Sequence, residues 1–217
     1  MPKPTVDQLR ARVSGPVITS ADDGYDDART VYNAMIDRRP AVIVRASDTN
    51  DVAAAVDYAR EADMAIAIRG GGHSVPGFGT IDDGLVVDLS GMREVSVDPA
   101  ASTARAQGGA TWGDFNAATH EHSLATTGGI ISTTGVAGLT LGGGIGYLTR
   151  GHGLACDNVV GAEVVTADGR TVHASADENA DLLWALKGGS GNFGVVTGLE
   201  FGLHPLSDIY GGPMFFE

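Results

Sequence analysis

The stretch AIAIRGGGHSVPGFG, residues 65–79, decides how the rest of the chain is interpreted. A short apolar run ends in Arg69 and is followed directly by three glycines and His73. A run of glycines costs backbone entropy on folding, so a folded protein keeps one where the backbone turns unusually or is approached closely. We therefore predict that residues 70–74 form a loop that lies against another group.

The residues before this loop have the pattern of a βαβ unit. The apolar run AVIVRAS (41–47) is rich in β-branched residues and is typical of a buried strand. Helical spacing follows over residues 50–64, with Asp48 or Thr49 as the N-cap. A second buried strand, AIAIR (65–69), then leads into the glycine loop. In open α/β sheets ligands bind outside the carboxyl ends of the strands, which favours a ligand site here.

After the loop the pattern becomes mostly antiparallel, with a hairpin turn at Asp168-Gly169 and Asp177 as the cap of the second predicted helix. We predict an α+β fold class with two α+β subdomains, a small parallel βαβ part and a mostly antiparallel part. Residues 1–40 are predicted to be polar and helical, with Pro40 as a stop. The further predicted strands are 84–90, 94–98, 102–108, 161–175 and 194–204, and the further predicted helices are 111–122 and 178–187.

Composition and charge exclude several classes of protein. Hydrophobic residues make up 43% of the 217-residue chain and charged residues 19%, which is typical of a globular protein. The net charge of -13 and the lack of a basic stripe argue against nucleic acid as a partner. Cys156 is the single cysteine, so no internal disulfide is possible. Neither an apolar leader nor a long apolar run is present, which predicts a cytoplasmic protein without a membrane partner; secretion through a leader removed before residue 1 remains open.

The glycine loops do not match the common nucleotide-binding motifs. A P-loop needs Gly-Lys-Ser/Thr, which this chain lacks. GSGNFG (189–194) has the G-x-G-x-x-G spacing, but it follows a predicted helix and opens a strand, the reverse of a Rossmann loop. RGGGHS (69–74) fits an anion nest, in which successive backbone N–H groups bind an anion and Arg69 adds positive charge. A plain tight turn is the alternative.

Other polar and aromatic residues have simpler interpretations. His120 and His122 lie two residues apart on a predicted helix and point in different directions, so no metal site is predicted. Trp112 and Trp184 are predicted to lie in the hydrophobic core.

Six motifs occur in one order along the chain: RGGGHS, GLVVDLSGM, GGATWGD, TTGVAGLTLGGGIGYLTRGHGLACDN, VVTADG and LLWALKGGSGNFGVVT. With this order, residues 38–205 or so resemble the FAD-binding domain of the vanillyl-alcohol oxidase/p-cresol methylhydroxylase superfamily, the PCMH-type domain. The berberine bridge enzyme-like branch is the most similar. The resemblance implies FAD as the cofactor, enclosed between the two α+β subdomains.

The resemblance also implies a set of cofactor-binding residues. His73 would bond covalently to the 8α-methyl group of the flavin, and residues 69–74 would cradle the pyrophosphate. Residues 133–146 would line the flavin and its ribityl chain, and Val165 lies on the strand that meets the adenine. The full set is Arg69, Gly70, Gly71, Gly72, His73, Ser74, Leu89, Thr133, Gly135, Gly138, Gly142, Gly143, Gly146 and Val165.

One departure from the family concerns the number of covalent links. Many members carry a second link from a cysteine about sixty residues after the histidine, and Ile131 occupies that position here. Isoleucine has no nucleophile, and a link to the flavin ring needs a thiolate held at its edge. We therefore predict a single link at His73 and a non-bonded thiol at Cys156.

The resemblance implies a flavin-dependent oxidase. Hydride would pass from a C–H bond of a small organic substrate to covalently bound FAD, with dioxygen as the electron acceptor. A dehydrogenase with another acceptor is one alternative, and a truncated or split FAD-binding domain without catalytic activity is another. No residue of this chain is assigned as the catalytic base, because family members place it in a later substrate domain.

The expected domain organisation follows the family. We expect an N-terminal helical lead-in at 1–37, the FAD-binding domain at 38–208 and the start of a substrate domain at 209–217. The apolar end IYGGPMFF (209–216) is predicted to be a strand of that missing domain. An uncovered substrate-domain face would favour association between chains.

Overall fold

The structure is a computed structural model that describes residues 3–206 and 215–216. Its helices are α1 (Val6–Arg10), α2 (Tyr25–Arg29), α3 (Thr49–Ala62), α4 (Trp112–His120), α5 (Val136–Leu141), α6 (Thr149–His152) and α7 (Ala180–Gly189). Its strands are β1 (Val17–Ile18), β2 (Val42–Arg45), β3 (Ile66–Arg69), β4 (Leu85–Asp88), β5 (Val95–Asp98), β6 (Thr103–Gln107), β7 (Leu124–Ala125), β8 (Val159–Val165), β9 (Thr171–Ser175), β10 (Val195–Gly202) and β11 (His204–Pro205).

The first lobe is built on a four-stranded sheet in the order β1-β2-β4-β3. β2, α3 and β3 form the predicted βαβ unit, and Asp48 caps α3 by accepting a hydrogen bond from the Asp51 amide. β4 was expected to start the antiparallel part, and that expectation is wrong. It lies between β2 and β3 and is parallel to both. All four of its residues are buried, as in a central parallel strand covered on both faces.

The second lobe is a five-stranded antiparallel sheet in the order β5-β6-β10-β8-β9. The predicted hairpin between β8 and β9 is confirmed, with Gly169 at a φ of 80° in its turn. Trp112, Phe115 and Phe201 are fully buried and make edge-to-face contacts in the core of this lobe. The α+β fold class with a parallel and an antiparallel part is therefore confirmed.

The two lobes share side chains where they meet. Val165 and Val195, at the adjoining ends of β8 and β10, are buried in the core of the first lobe together with the α3 helix. The Glu163 carboxylate accepts hydrogen bonds from the Thr49 hydroxyl and the Thr197 hydroxyl, both at 2.7 Å. These contacts hold the carboxyl end of the first sheet against the second lobe.

Three local expectations are wrong or only partly right. Residues 1–40 contain two short helices, but they also supply β1, which pairs with β2 at the edge of the first sheet. Asp177 does not cap α7; Asn179 occupies the N-cap position at a φ of 50°. Trp184 is 79% exposed rather than buried, because it lies on the solvent side of α7.

The strand predicted at 209–216 lies almost wholly outside the described residues, which there include only the exposed Phe215 and Phe216. Across the described ranges, no helix combines the length and apolarity that crossing a membrane would require.

Candidate functional site

The glycine loop follows β3 and presents a row of backbone donors. Gly72 adopts a φ of 71°, a left-handed conformation that glycine accepts without strain. Within the described part of the chain, no group accepts a hydrogen bond from the five backbone amides of residues 70–74. Successive unpaired amides around a left-handed residue form a concave site for an anion.

A second loop crosses the glycine loop at very short range. A Cβ atom added to Gly71 would lie 2.3 Å from the backbone nitrogen of Gly135, and one added to Gly135 would lie 2.5 Å from that of Gly71. Both residues must therefore be glycine for the loops to touch. Gly71 allows the two backbones to touch. The sequence had indicated a ligand against this loop and gave no sign of this second loop.

His73 lies where these two loops meet. Its Nε2 atom is 2.9 Å from the Thr133 hydroxyl, and its Nδ1 atom is 3.5 Å from the Thr134 hydroxyl. Tyr32 stacks on the imidazole with the ring centroids 4.0 Å apart and the planes 17° from parallel. The ring is therefore held in one orientation by contacts on its edge and on one face.

Three charged residues lie in register at the carboxyl ends of the parallel strands. Arg45 on β2 and Arg69 on β3 both pair with Asp88 on β4. The Asp88 carboxylate accepts hydrogen bonds from Arg69 at 2.8 Å and from Arg45 at 3.0 Å. Burial raises the pKa of Asp88, but the hydrogen bond and charge of Arg69, together with hydrogen bonds from the Ser90 amide and Arg45, hold that pKa below its usual value.

This cluster changes the expected role of Arg69. Its guanidinium is buried, donates to the Thr30 carbonyl as well as to Asp88, and thereby fixes the base of the glycine loop. Arg45 is the more exposed of the two cations, with 40% of its side chain accessible. Two guanidinium groups against one carboxylate leave one net positive charge beside the free amides.

A groove of about 480 Å³ connects these features. It is lined by Thr30, Val31, Tyr32, Arg45, Arg69, Gly70, Gly71, Gly72, His73, Asp88, Ser90 and Thr133. A slightly larger cavity, about 510 Å³, lies between α4, β7 and residues 147–148, and none of the predicted cofactor-binding residues lines it. We assign the candidate site to the groove because the free amides and His73 lie there.

The structure places the remaining predicted residues around and beyond this groove. Ser74 accepts a hydrogen bond from the Phe78 amide and ends the loop. The Leu89 amide donates to the Arg69 carbonyl at 2.8 Å, while its side chain is buried. Val165 is fully buried, so it can reach a ligand through its backbone only.

The glycines after Gly135 differ from one another in their surroundings. Gly138 and Gly142 are exposed on and just after α5. Gly143 is buried at a φ of 107°, and a Cβ on Gly146 would lie 1.8 Å from the Gly128 carbonyl oxygen. Gly143 and Gly146 therefore have clear backbone reasons to be glycine, whereas Gly138 and Gly142 leave an open surface.

Neither Ile131 nor Cys156 supplies a nucleophile to the groove. Ile131 is half exposed, and its carbonyl accepts the Thr134 amide at 3.1 Å in the loop beside His73. Cys156 is buried, and burial together with the Asp157 charge raises the pKa of its thiol. A protonated, buried thiol is a poor nucleophile.

Sequence reasoning missed six residues that line the groove, and three of them make the contacts described above: Tyr32, Arg45 and Asp88. Tyr32 lies in the segment interpreted as a helical lead-in, which gave no sign that it approaches His73. Arg45 and Asp88 each end a strand of the structure, as Arg69 does, whereas the predicted strands continued to Ser47 and Ser90. Their positions at three strand ends could have indicated the cluster, had β4 been recognised as a parallel strand.

Comparison with known proteins agrees with this arrangement. The profile of the family described as "FAD binding domain" matches residues 40–175. The chain is 38% identical over 216 residues to FAD-linked oxidoreductase pgmH of Aspergillus terreus, covering 98% of this chain and 44% of that protein. 6-Hydroxy-D-nicotine oxidase from Arthrobacter nicotinovorans superposes with a TM-score of 0.87 at 39% identity, covering 89% of this chain and 43% of that one.

A second solved structure concerns a covalently modified flavoprotein. Glucooligosaccharide oxidase from Acremonium strictum carries a 6-S-cysteinyl, 8α-N1-histidyl FAD. It superposes with a TM-score of 0.85 at 38% identity, covering 92% of this chain and 42% of that one.

The chain belongs to the family of PCMH-type FAD-binding domains, whose members include berberine bridge enzyme-like proteins. FAD is the cofactor of this family, so the prediction of a flavoprotein domain is confirmed. The chain spans less than half the length of the curated relatives it matches.

Proposed function

We propose that this chain is the FAD-binding part of an oxidoreductase that removes hydride from a C–H bond of a small organic substrate. Dioxygen is the proposed electron acceptor, because relatives at comparable identity are named oxidases. Their names specify hydroxynicotine and glucooligosaccharides, which are both small molecules. The substrate class of this chain is accordingly a small organic molecule with an oxidisable C–H bond.

One observation supports the proposal most strongly. The backbone amides of residues 70–74, which have no acceptor among the residues that the structure describes, lie in a row that includes His73, with a positive charge from Arg45 beside them. Amide donors bind a pyrophosphate without needing a basic protein, which suits a chain with a net charge of -13. The His73 imidazole would then lie close to the group that the pyrophosphate carries.

The residues present fit FAD, and each has a proposed task. The amides of residues 70–74 would bind the pyrophosphate, and Arg69 with Asp88 would keep that loop rigid. His73 would form the single covalent link, and the second loop from Thr133 onward would lie along the flavin. When bound, the flavin supplies the hydride acceptor, since the redox chemistry belongs to the cofactor.

The test is covalent flavin on the purified chain. We expect acid-precipitated wild-type protein to retain yellow fluorescence on a denaturing gel and the His73→Ala variant to lose it. His122→Ala, which changes an exposed histidine after α4, is the matched control and should keep the flavin. Equal fluorescence in the wild type and in His73→Ala would contradict the proposed link.

A second candidate is an FAD-binding portion with no turnover of its own. The observation that favours it is length, because the relatives are more than twice as long as the matched region. Peroxide release by this chain across a panel of sugars and aromatic alcohols would show that it holds a complete catalytic site and would exclude this second candidate. Turnover without oxygen consumption would indicate a dehydrogenase instead.

A further inference from the structure

Two stacked histidines join the strand β11 to the end of α6. The imidazole rings of His152, on α6, and His204, on β11, lie with their centroids 3.9 Å apart and their planes 16° from parallel. We propose that this pair is an acid-sensitive anchor, which holds β11 in place while at most one ring is protonated and releases it when both are. The anchor lies in the second lobe and does not depend on flavin.

Asn158 determines which nitrogen of His204 carries a hydrogen. The side-chain nitrogen of Asn158 donates to the carbonyl oxygens of His152 at 2.9 Å and Leu154 at 2.8 Å. Because a carbonyl oxygen can only accept, the amide group has one orientation, and its oxygen faces His204 Nε2 at 2.7 Å. That nitrogen must therefore be a donor in both charge states of the ring, and a further proton can be added to His204 only at Nδ1.

The stack tolerates one positive charge better than two. An imidazolium and a neutral imidazole can remain stacked, because only one of them is charged, whereas two imidazoliums 3.9 Å apart repel each other. Both rings are half-buried, so water and salt screen this repulsion incompletely. Burial, and after it the charge of His152, lowers the pKa of His204. The second proton is therefore bound more readily when the rings are apart.

No opposite charge offsets the pair within the part of the chain that the structure describes. The ionisable residues on the surrounding elements are Arg150 on α6, Cys156 and Asp157 in the turn before β8, Lys187 on α7, and His120 and Glu121 at the end of α4. Of the charged groups described, only His152 contributes to the shift in the His204 pKa. The Asp157 carboxylate accepts the Leu154 amide at 2.8 Å instead.

Few other contacts hold β11. The strand is two residues long and pairs only with β7, where His204 lies opposite Ala125. One further backbone hydrogen bond follows it, from the Leu206 amide to the Ser123 carbonyl at 2.9 Å. So short a two-stranded pairing is marginal by itself in water. The His204 side chain, through its ring contact and its hydrogen bond, is therefore the main attachment of β11 to the α6 segment.

Release of β11 would change the cavity of about 510 Å³ beside β7. Leu206, which follows β11 directly, lines this cavity, and so does Leu148. The Leu148 carbonyl accepts the His152 amide at 2.9 Å. The two histidines are thus attached to different parts of the cavity wall, and their separation would widen the cavity.

The direction of the pH dependence follows from proton uptake. In the released form both rings are in water and bind protons near the ordinary histidine pKa of about 6.5. The pKa of His204 is lower in the stacked pair, so its contribution to holding β11 is complete above pH 6.5 and is lost as the pH falls through the lower value. One additional proton bound on release changes the equilibrium by up to about tenfold per pH unit.

Amide hydrogen exchange of the whole 217-residue chain, measured by NMR at pH 7.0, 6.0 and 5.0, tests the anchor. Exchange at Leu206, corrected for the intrinsic rate at each pH, reports release of β11. Exchange at Gly108, whose amide donates to the Thr197 carbonyl, reports opening of the second sheet as a whole. The variants are His152→Phe, which keeps a flat ring without the charge, and His173→Phe on β9 as the matched control.

We expect protection at Leu206 to fall about tenfold between pH 6.0 and pH 5.0 in the wild type and in His173→Phe, while protection at Gly108 stays constant. His152→Phe should keep most of its Leu206 protection at pH 5.0. The pKa of His204, followed through its ring protons, should be higher in His152→Phe than in the wild type, because the charge of His152 is gone.

The wild type alone can overturn the inference. Constant protection at Leu206 from pH 7.0 to pH 5.0 would do so, as would ring-to-ring nuclear Overhauser contacts that persist after both histidines have titrated. An equal loss at Gly108 would show acid unfolding of the sheet instead of release of β11, and an equal loss in His152→Phe would show that the second charge is not the cause. None of these measurements requires flavin, so failure of the proposed link at His73 would leave the anchor unaffected.

Discussion

At the scale of single residues, the site depends on close backbone contact and on buried charge. Gly71 and Gly135 bring two loops from different lobes together, and Asp88 joins the ends of three parallel strands through Arg45 and Arg69. These contacts form the floor of the groove that His73 borders. Substitutions in either set should therefore affect folding and flavin binding together.

Gly71→Val should lower both stability and flavin content. Its Cβ would lie 2.3 Å from the Gly135 nitrogen, so one loop must move away from the other. We expect a loss of about 1–3 kcal/mol in the free energy of unfolding, as for overpacked sites. Flavin content should fall further than that loss explains, because the loop also supplies the amide donors.

Urea unfolding and the flavin-to-protein absorbance ratio measure the two effects. Gly151→Ala is the matched control, because a Cβ there meets nothing within 4 Å. A well-folded Gly71→Val protein with normal flavin content would show that the loop is only a turn.

Asp88→Asn should be strongly destabilising at neutral pH. It leaves the buried Arg69 guanidinium without its counter-charge, and breaking a buried ion pair costs about 3–5 kcal/mol. Asp7→Asn, which breaks an exposed pair with Arg10, should change the urea midpoint little. Comparable midpoints for the two variants would contradict the importance assigned to Asp88.

The same carboxylate predicts a pH dependence. Its pKa is lower in the folded chain than the ordinary value of 3.8, so Asp88 stabilises the fold above pH 3.8. That contribution should disappear as the pH falls from 3.8 through the folded pKa. Urea midpoints measured from pH 6 to pH 3 should fall less steeply in Asp88→Asn than in the wild type.

At the scale of elements, a buried carboxylate fastens the N-terminal segment to α3. Asp51 is 2% exposed and accepts three backbone hydrogen bonds, from the amides of Ser14, Gly15 and Ser47. It thereby holds the entry to β1 beside the turn between β2 and α3. Because β1 is the edge strand of the first sheet, this carboxylate helps to close that sheet.

Asp51→Asn should lower the free energy of unfolding by about 1–3 kcal/mol, because one of its acceptor oxygens becomes a donor that faces an amide. Asp57→Asn, on the exposed side of the same helix, is the control. Hydrogen exchange should show faster exchange at Val17 and Ile18 in Asp51→Asn and not in Asp57→Asn. Unchanged exchange at β1 would show that the segment is held by other contacts.

At the scale of the whole molecule, the sequence predicted the family and most strands and helices correctly. It did not predict how all the strands are arranged in the two sheets. The βαβ unit, the β8–β9 hairpin and the α+β class depend on local periodicity and on turn residues, which a sequence displays directly. The parallel placement of β4 depends on burial of both its faces, and its apolar run has the same pattern in either direction.

The candidate site was predicted only in part. The residues in glycine motifs were identified through family resemblance, and their roles in binding FAD are still predictions. Tyr32 reaches the groove only through tertiary packing, and the strand-end positions of Arg45 and Asp88 indicate the groove only once β4 is known to be parallel. The exposed Trp184 was misplaced for a similar reason, because a helix in isolation does not show which of its faces meets the sheet.

The whole-molecule prediction concerns turnover. Oxidation needs the substrate carbon held close to the flavin with a base in place, and no residue of this chain is assigned as that base. We expect the 217-residue chain to bind FAD and to release no peroxide above background with sugars or aromatic alcohols. Substrate-dependent peroxide from this chain would show that it holds a complete catalytic site.

The central claim is that this chain holds FAD covalently at His73. Peptide mapping of the purified, acid-denatured protein by mass spectrometry tests it most directly. The account predicts one flavin-bearing peptide, with the adduct on His73 and with Cys156 unmodified. An adduct on Cys156, or peptides that cover His73 completely and carry no flavin, would contradict it.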